Sequence, residues 1–174
     1  KSKYLFTASF RADGSSKFSA DNKWSYFPSG AFSWRFSKEK FLVNSKILSE
    51  GKFRISYGQT GNNRVSDFAY LTLMRLTNPL YVFNNNYQPG VEAVQLGNSD
   101  LRWENTQQID VGIDLGFFDQ RLNFTADVYQ KTTPDLLLNA NLPLSTGFTT
   151  VFKNVGSVRN QGLEFSLNSV NIQK

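Results

Sequence analysis

The 174-residue sequence contains no cysteine and no histidine. Their absence excludes a disulfide framework, a zinc site of the usual ligand set, a thiol or imidazole nucleophile and any Ser-His-Asp arrangement. Charged residues make up only 19 %, and methionine occurs once. Helical proteins favour Ala, Leu, Glu, Lys and Met, so this composition argues against them. Apolar stretches stop at a few residues, as in Leu136-Leu137-Leu138, far short of the ~18–20 of a membrane helix. Nor is there a signal-peptide pattern at the start, where Lys1-Ser2-Lys3 runs straight into Tyr4-Leu5-Phe6-Thr7; we expect a piece of a longer protein. Most enzyme classes end here. No catalytic residue, metal site or cofactor is expected.

Asn, Ser, Thr, Gln, Gly and aromatics fill the space left by charge. Aromatics reach 15 %, with 16 phenylalanines. That mixture suits strands joined by polar loops. The net charge of +5 comes from scattered lysines and arginines, with nothing longer than the Lys38-Glu39-Lys40 triplet. Scattered single charges describe a solvated surface, not a nucleic-acid footprint.

Alternation at period two is the dominant pattern. It predicts six strands over 3–12, 24–36, 52–60, 103–115, 121–131 and 154–168. The cleanest sets Ile109, Val111, Ile113 and Leu115 against Gln108, Asp110, Gly112 and Asp114. The next opposes Leu122, Phe124, Ala126 and Val128 to Asn123, Thr125, Asp127 and Tyr129. A tight turn is expected at Gly116–Gln120, and a long polar external loop over 61–102 containing Asn84-Asn85-Asn86, with room for short strands of its own. The expected fold is all-β: an antiparallel up-and-down meander with both ends on one side.

Two architectures give long strands with one apolar and one polar face. In a secreted β-sandwich, a carbohydrate-binding or adhesion module for example, the apolar face is a shared core. In an outer-membrane barrel it meets lipid and the polar face lines the lumen. The runs here approach ~10–13 residues, longer than the ~5–6 of soluble strands and enough for the ~9–11 of a tilted membrane crossing. Aromatics sit near the run ends (Tyr4, Trp34, Phe36, Tyr57, Trp103), as in an interfacial girdle. The barrel reading sends Phe32, Trp34, Ile55, Ile109, Val111, Ile113, Phe124, Val128 and Phe165 to lipid. It turns Arg35, Arg54, Asp110, Asp114 and Asp127 inward. Asp110 and Asp127 should be direct or diagonal neighbours, with a cation from a plug between them.

The sequence also resembles the barrel of SusC/RagA-type TonB-linked outer-membrane proteins of Bacteroidota. The stretches that carry the resemblance begin with Tyr4-Leu5-Phe6-Thr7-Ala8-Ser9-Phe10-Arg11-Ala12-Asp13-Gly14-Ser15-Ser16-Lys17-Phe18 and Trp24-Ser25-Tyr26-Phe27-Pro28-Ser29. They continue through Arg54-Ile55-Ser56-Tyr57-Gly58-Gln59-Thr60-Gly61-Asn62, Leu101-Arg102-Trp103-Glu104 and Asp110-Val111-Gly112-Ile113-Asp114. The last are Asp127-Val128-Tyr129, Asp135-Leu136-Leu137-Leu138 and Asn154-Val155-Gly156-Ser157-Val158-Arg159-Asn160-Gln161-Gly162-Leu163-Glu164. The resemblance implies a transmembrane barrel of about 22 strands around a plug. It implies import of glycan or peptide oligomers across the outer membrane, under a SusD-type lipoprotein and driven by TonB through the plug. Residues 1–174 would then be part of the barrel wall, without the plug.

Several motifs have plainer readings. Gly112 to Gly116 fits the small-xxx-small helix pattern, yet lies on a strand. Asp13-Gly14-Ser15-Ser16 lacks the ligand density of a calcium loop and reads as a turn. Trp24, Tyr26, Tyr81, Phe83 and Tyr87 are candidates for substrate or lid contact, against a default of girdle and loop packing.

Overall fold

The structure, a computed structural model, describes residues 2–172, with the backbone alone for 77–80. Its strands are β1 (Tyr4–Gly14), β2 (Trp24–Trp34), β3 (Leu48–Asn62), β4 (Leu73–Phe83), β5 (Asn86–Gln95), β6 (Glu104–Phe117), β7 (Leu122–Pro134), β8 (Leu137–Asn141), β9 (Thr150–Asn154) and β10 (Ser157–Ser169). Six make one antiparallel sheet in the order β1-β2-β3-β6-β7-β10, while β4-β5 and β8-β9 are separate hairpins. Within this sheet each strand therefore pairs with the next one of the sheet in chain order.

Strand ends differ from the sequence expectation for local reasons. The second strand stops at Trp34 because Arg35 leads into a 3₁₀ turn over Phe36–Lys38. The third is longer than expected at both ends, running over Leu48–Asn62 with a register shift between Leu48 and Glu50. The last starts at Ser157, after Gly156 adopts φ +79° and breaks the extended run. The region 61–102 does hold short strands of its own. It contains the β4-β5 hairpin, whose two-residue turn places Asn84 and Asn85 at φ 48° and 59°, the double positive-φ geometry that asparagine tolerates.

The tight turn falls one residue beyond the expected window, between Phe117 and Leu122. Phe118, Asp119 and Gln120 all have positive φ, near 53°, 53° and 63°. A non-glycine residue pays about 1–2 kcal/mol there. Asp119→Gly should therefore raise the stability of the refolded parent protein by about 1 kcal/mol, read as a higher urea midpoint. An unchanged or lower midpoint would show that the neighbouring strands already absorb the strain.

Register assigns the faces. Phe6, Phe32, Ile55, Val111, Val128 and Leu163 stand opposite one another in sequence across all six strands. Tyr4, Trp34, Phe53, Ile113, Ala126 and Phe165 form the neighbouring row of the same face. Between them, on the other face, run Leu5, Ser33, Arg54, Gly112, Asp127 and Glu164. The apolar face is bare: Phe32 is 36 % exposed, Ile55 37 %, Ile109 43 %, Val128 52 % and Phe165 69 %. Among the described residues no second sheet covers it. Within the described residues the sheet thus lacks the shared core of a sandwich.

The buried apolar cluster lies elsewhere, where the long connections meet. Phe18, Val65, Ala69, Leu101 and Leu137 form it, with Trp103 and Phe152 packed against it. These residues come from three separate connections and the strand ends beside them. We call this end of the sheet the rim.

Candidate functional site

The polar face carries an ionic network spanning three strands. Arg54 on β3 donates from Nε to Asp114 Oδ2 at 2.8 Å and from Nη2 to Asp114 Oδ1 at 3.0 Å, both on β6. The same Nη2 donates to Asp127 Oδ1 on β7 at 2.9 Å. Lys52 Nζ stands 3.7 Å from Asp114, and the Thr125 hydroxyl donates to it at 3.4 Å. Arg54, Gly112 and Asp127 are in register, so the guanidinium reaches over the intervening strand. Gly112 makes that possible. A Cβ there would lie 2.1 Å from Asp127 Oδ1 and 2.8 Å from Arg54 Nη2.

Arg35 and Asp110 stand apart from this network. Arg35 pairs with Glu50 at 2.8 Å, and Gln120 Nε2 donates to the other Glu50 oxygen at 3.3 Å. Asp110 is opposite Tyr129, which makes it the diagonal neighbour of Asp127. Among the described residues of the segment the two carboxylates have different donors. Asp127 takes Arg54, whereas Asp110 accepts from neutral donors, Ser56 Oγ at 3.4 Å and Gln108 Nε2 at 3.1 Å. Asp110 and Lys131 line a concave hollow of about 480 Å³ with Thr7, Ala31, Ser56 and Thr106.

Glu39 fastens the end opposite the rim. It accepts hydrogen bonds from Lys3 Nζ at 3.0 Å, Tyr4 OH at 2.9 Å and Trp34 Nε1 at 3.3 Å. The Lys3 ammonium, then the tyrosine and indole donors, hold its carboxyl below the usual carboxylate range.

At the rim, polar contacts tie the connections to the buried cluster. Asn154 Nδ2 donates to the carbonyls of Arg102 at 2.8 Å and Asp135 at 3.1 Å, and its Oδ1 accepts from Arg102 N at 2.9 Å. Arg102 pairs with Asp135 at 2.8 Å. Glu104 accepts from Leu137 N at 3.0 Å and from Asn62 Nδ2 at 3.1 Å. Trp103 is a correction: it packs on Phe18 and Phe27, with ring centroids 5.5 and 5.8 Å apart, and donates to the Lys23 carbonyl. It belongs to the rim interior, not to an outer girdle. Asn154→Ala removes three hydrogen bonds and should cost about 1–3 kcal/mol. Limited proteolysis of the parent should then cut the 135–156 connection faster, and unchanged protection would count against the knot.

The five aromatic candidates separate into two groups. Trp24 and Tyr26 share the apolar face of β2, opposite Gly14 and Ala12, with Tyr26 stacked 5.8 Å from Phe10. Tyr81, Phe83 and Tyr87 lie near the exposed tip of the β4-β5 hairpin. No ring contact joins the two groups among the described residues.

Residues 1–171 match the family model described as TonB dependent receptor-like, beta-barrel. The chain belongs to this family. The receptor segment is 42 % identical over 171 residues to TonB-dependent receptor P3 of Formosa agariphila, covering 98 % of the segment and 17 % of P3. It is 39 % identical over 177 residues to TonB-dependent receptor SusC of Bacteroides thetaiotaomicron, covering 96 % and 17 % respectively. The fold matches the RagAB peptide transporter with a TM-score of 0.83 and 32 % identity, over 98 % of the segment and 18 % of that chain. The open-open state of the RagAB importer gives a TM-score of 0.85. The segment thus spans about a sixth of the length of its curated relatives. The family comprises outer-membrane receptors and transporters of Gram-negative bacteria and is not an enzyme family.

Proposed function

We propose that the parent protein is an active importer of glycan or peptide oligomers, with this receptor segment as part of its barrel wall. The observation that carries the reading is the contrast between the two faces. A bare apolar face spans six strands, and the opposite face carries the charges, several of them paired within the wall. A barrel needs lipid-facing and lumen-facing surfaces of this kind. The apolar rows meet lipid, and the polar rows line the lumen around the protein's own plug. The rim, which carries the longer connections, faces outward from the cell. Both ends of the segment lie on the periplasmic side.

Arg35, Arg54, Asp110, Asp114 and Asp127 line the lumen on the plug side. Asp110 and Lys131 line the hollow and form no ion pair among the described residues, so they are the wall charges there that remain for plug or cargo to meet. The plug couples to TonB, and a SusD-type lipoprotein covers the rim. Tyr81, Phe83 and Tyr87 are candidates for contact with that lid or with cargo. RagAB, a peptide transporter by name, supports the peptide arm of this reading.

Deletion of the parent gene should abolish uptake of one oligomer class while monomer uptake persists. The lid lipoprotein should copurify with the tagged parent in detergent. A parent protein that is soluble without detergent, or a deletion strain that imports every oligomer normally, would sink the reading.

A further inference from the structure

The apolar face ends abruptly towards the rim, one row sooner on β7 and β10 than on β3 and β6. Going towards the rim, β6 presents Phe117, Leu115, Ile113, Val111 and Ile109, then Gln107 and Asn105. The same face of β7 changes from Val128 to Gln130 and Thr132, and that of β10 from Leu163 to Gln161 and Arg159. On β3 it changes from Tyr57 to Gln59. Register places the change one row apart on the two pairs of strands. Tyr57, Ile109, Gln130 and Gln161 form one row, and Gln59, Gln107, Thr132 and Arg159 form the next. Over these two rows the polar band takes both positions on β7 and β10 and the upper one on β3 and β6, as amides, one hydroxyl and one guanidinium directly above the apolar belt. On β1 and β2 the same end is aromatic, with Phe10, Tyr26 and Trp24.

The height fits a membrane boundary. From Phe117 to Ile109 a strand tilted about 40° climbs roughly 20 Å, close to the ~25 Å apolar band of outer-membrane barrels. The band therefore lies in the headgroup layer, continuous with the lipid-facing surface. Most of its side chains are also free to engage a ligand. Gln107, Gln130, Gln161 and Arg159 are exposed and make no side-chain hydrogen bond among the described residues, unlike Gln59, which is bonded to Tyr57 and Asn105. Neutral amides offer both donors and acceptors, matching sugar hydroxyls, and a guanidinium matches phosphate.

We infer that this band is a binding surface for phosphorylated, hydroxyl-rich lipid headgroups of the outer leaflet. The inference rests on the barrel reading above and adds a ligand class to its outer face. Amides in place of further apolar rows set the depth of immersion, and Arg159 supplies the charge that selects anionic headgroups.

The test uses the full-length parent, purified and reconstituted into phosphatidylcholine vesicles with or without lipid A. The readout is the amount of lipid A that stays with the protein on re-extraction. The variants are R159A with Q161A, and the fourfold Q107A, Q130A, Q161A, R159A. We expect the native protein to retain lipid A and the fourfold variant to retain about fivefold less or lower still, with the double variant between them. Heat-modifiable migration on gels checks that each protein is folded and inserted. Failure of the native protein to insert would overturn the barrel reading itself. Insertion of all three with equal lipid A retention would overturn the headgroup band alone. If the fourfold variant does not fold, the double variant decides the matter by the same comparison.

Discussion

Val111→Arg should remove most of the parent receptor from the outer membrane. Val111 lies centrally in the apolar rows, opposite Ile55 on one side and Val128 on the other. Its side chain belongs to the bare face, where neither row carries a charge. An arginine near the bilayer midplane on a lipid face costs ~2–4 kcal/mol, a large share of the ~5–15 kcal/mol that holds a typical domain folded. Its neighbours in the chain give the control. Gln108 projects from the opposite face, beside the hollow lined by Asp110 and Lys131. Gln108→Arg adds the same charge to the same strand and should assemble normally. The fraction of each variant that runs as the compact, heat-modifiable form on gels measures the difference. Equal assembly of the two would mean that the faces are assigned wrongly, or that this surface does not meet lipid.

The two faces were legible in the sequence because a strand repeats every two residues and both neighbours enforce the same register. On β6, Gln108 to Leu115 alternate without a break, and the pairing keeps that alternation intact. Where a break in backbone geometry decides the boundary, the pattern is silent. Arg35 and Phe36 continue the alternation of β2, yet Phe36–Lys38 is a 3₁₀ turn. The β4-β5 hairpin was obscured by its own irregularity. Its register slips between Thr77 and Tyr81, and Pro79 and Pro89 interrupt the run. Only the Asn84-Asn85 pair signalled a turn.

The rim was not legible as a unit. Phe18, Leu101 and Leu137 are distant in the chain and follow no shared period, so nothing in composition joins them into one cluster. The stretches that carry the family resemblance converge here. Asp135, Leu137, Leu101 to Glu104 and Asn154 are the residues whose contacts close the knot. Their recurrence in order along the chain has a packing reason. Each contributes one side to an interior that exists only when all the connections are present.

The inward charges were expected on one face, but their partners required a register spanning three strands. Gly112, legible in the sequence only as one end of a small-xxx-small pattern, is the gap through which Arg54 reaches Asp127. Neighbouring strands lie ~4.8 Å apart, so a side chain bridging β3 to β7 must cross the whole width of β6. Gly112→Val would place a branched side chain in that path, where even a Cβ would lie 2.1 Å from Asp127 Oδ1. The carboxylate of Asp127 and the guanidinium of Arg54 would then have to part. These groups are roughly a third exposed, so water recovers part of the loss, and we expect a cost of about 1–3 kcal/mol. The comparison that isolates the bridge is Asp127→Ala. If both substitutions act by breaking the same contact, the double variant should be destabilised by much less than the sum of the two single ones. Urea unfolding of the full-length receptor refolded in vesicles measures all three. Gly116→Ala, where the added Cβ meets Asn123 Oδ1 and Glu50 Cβ at 3.2 Å, should be far milder. Strict additivity of Gly112→Val with Asp127→Ala would show that the glycine serves the strand backbone and not the arginine that passes over it.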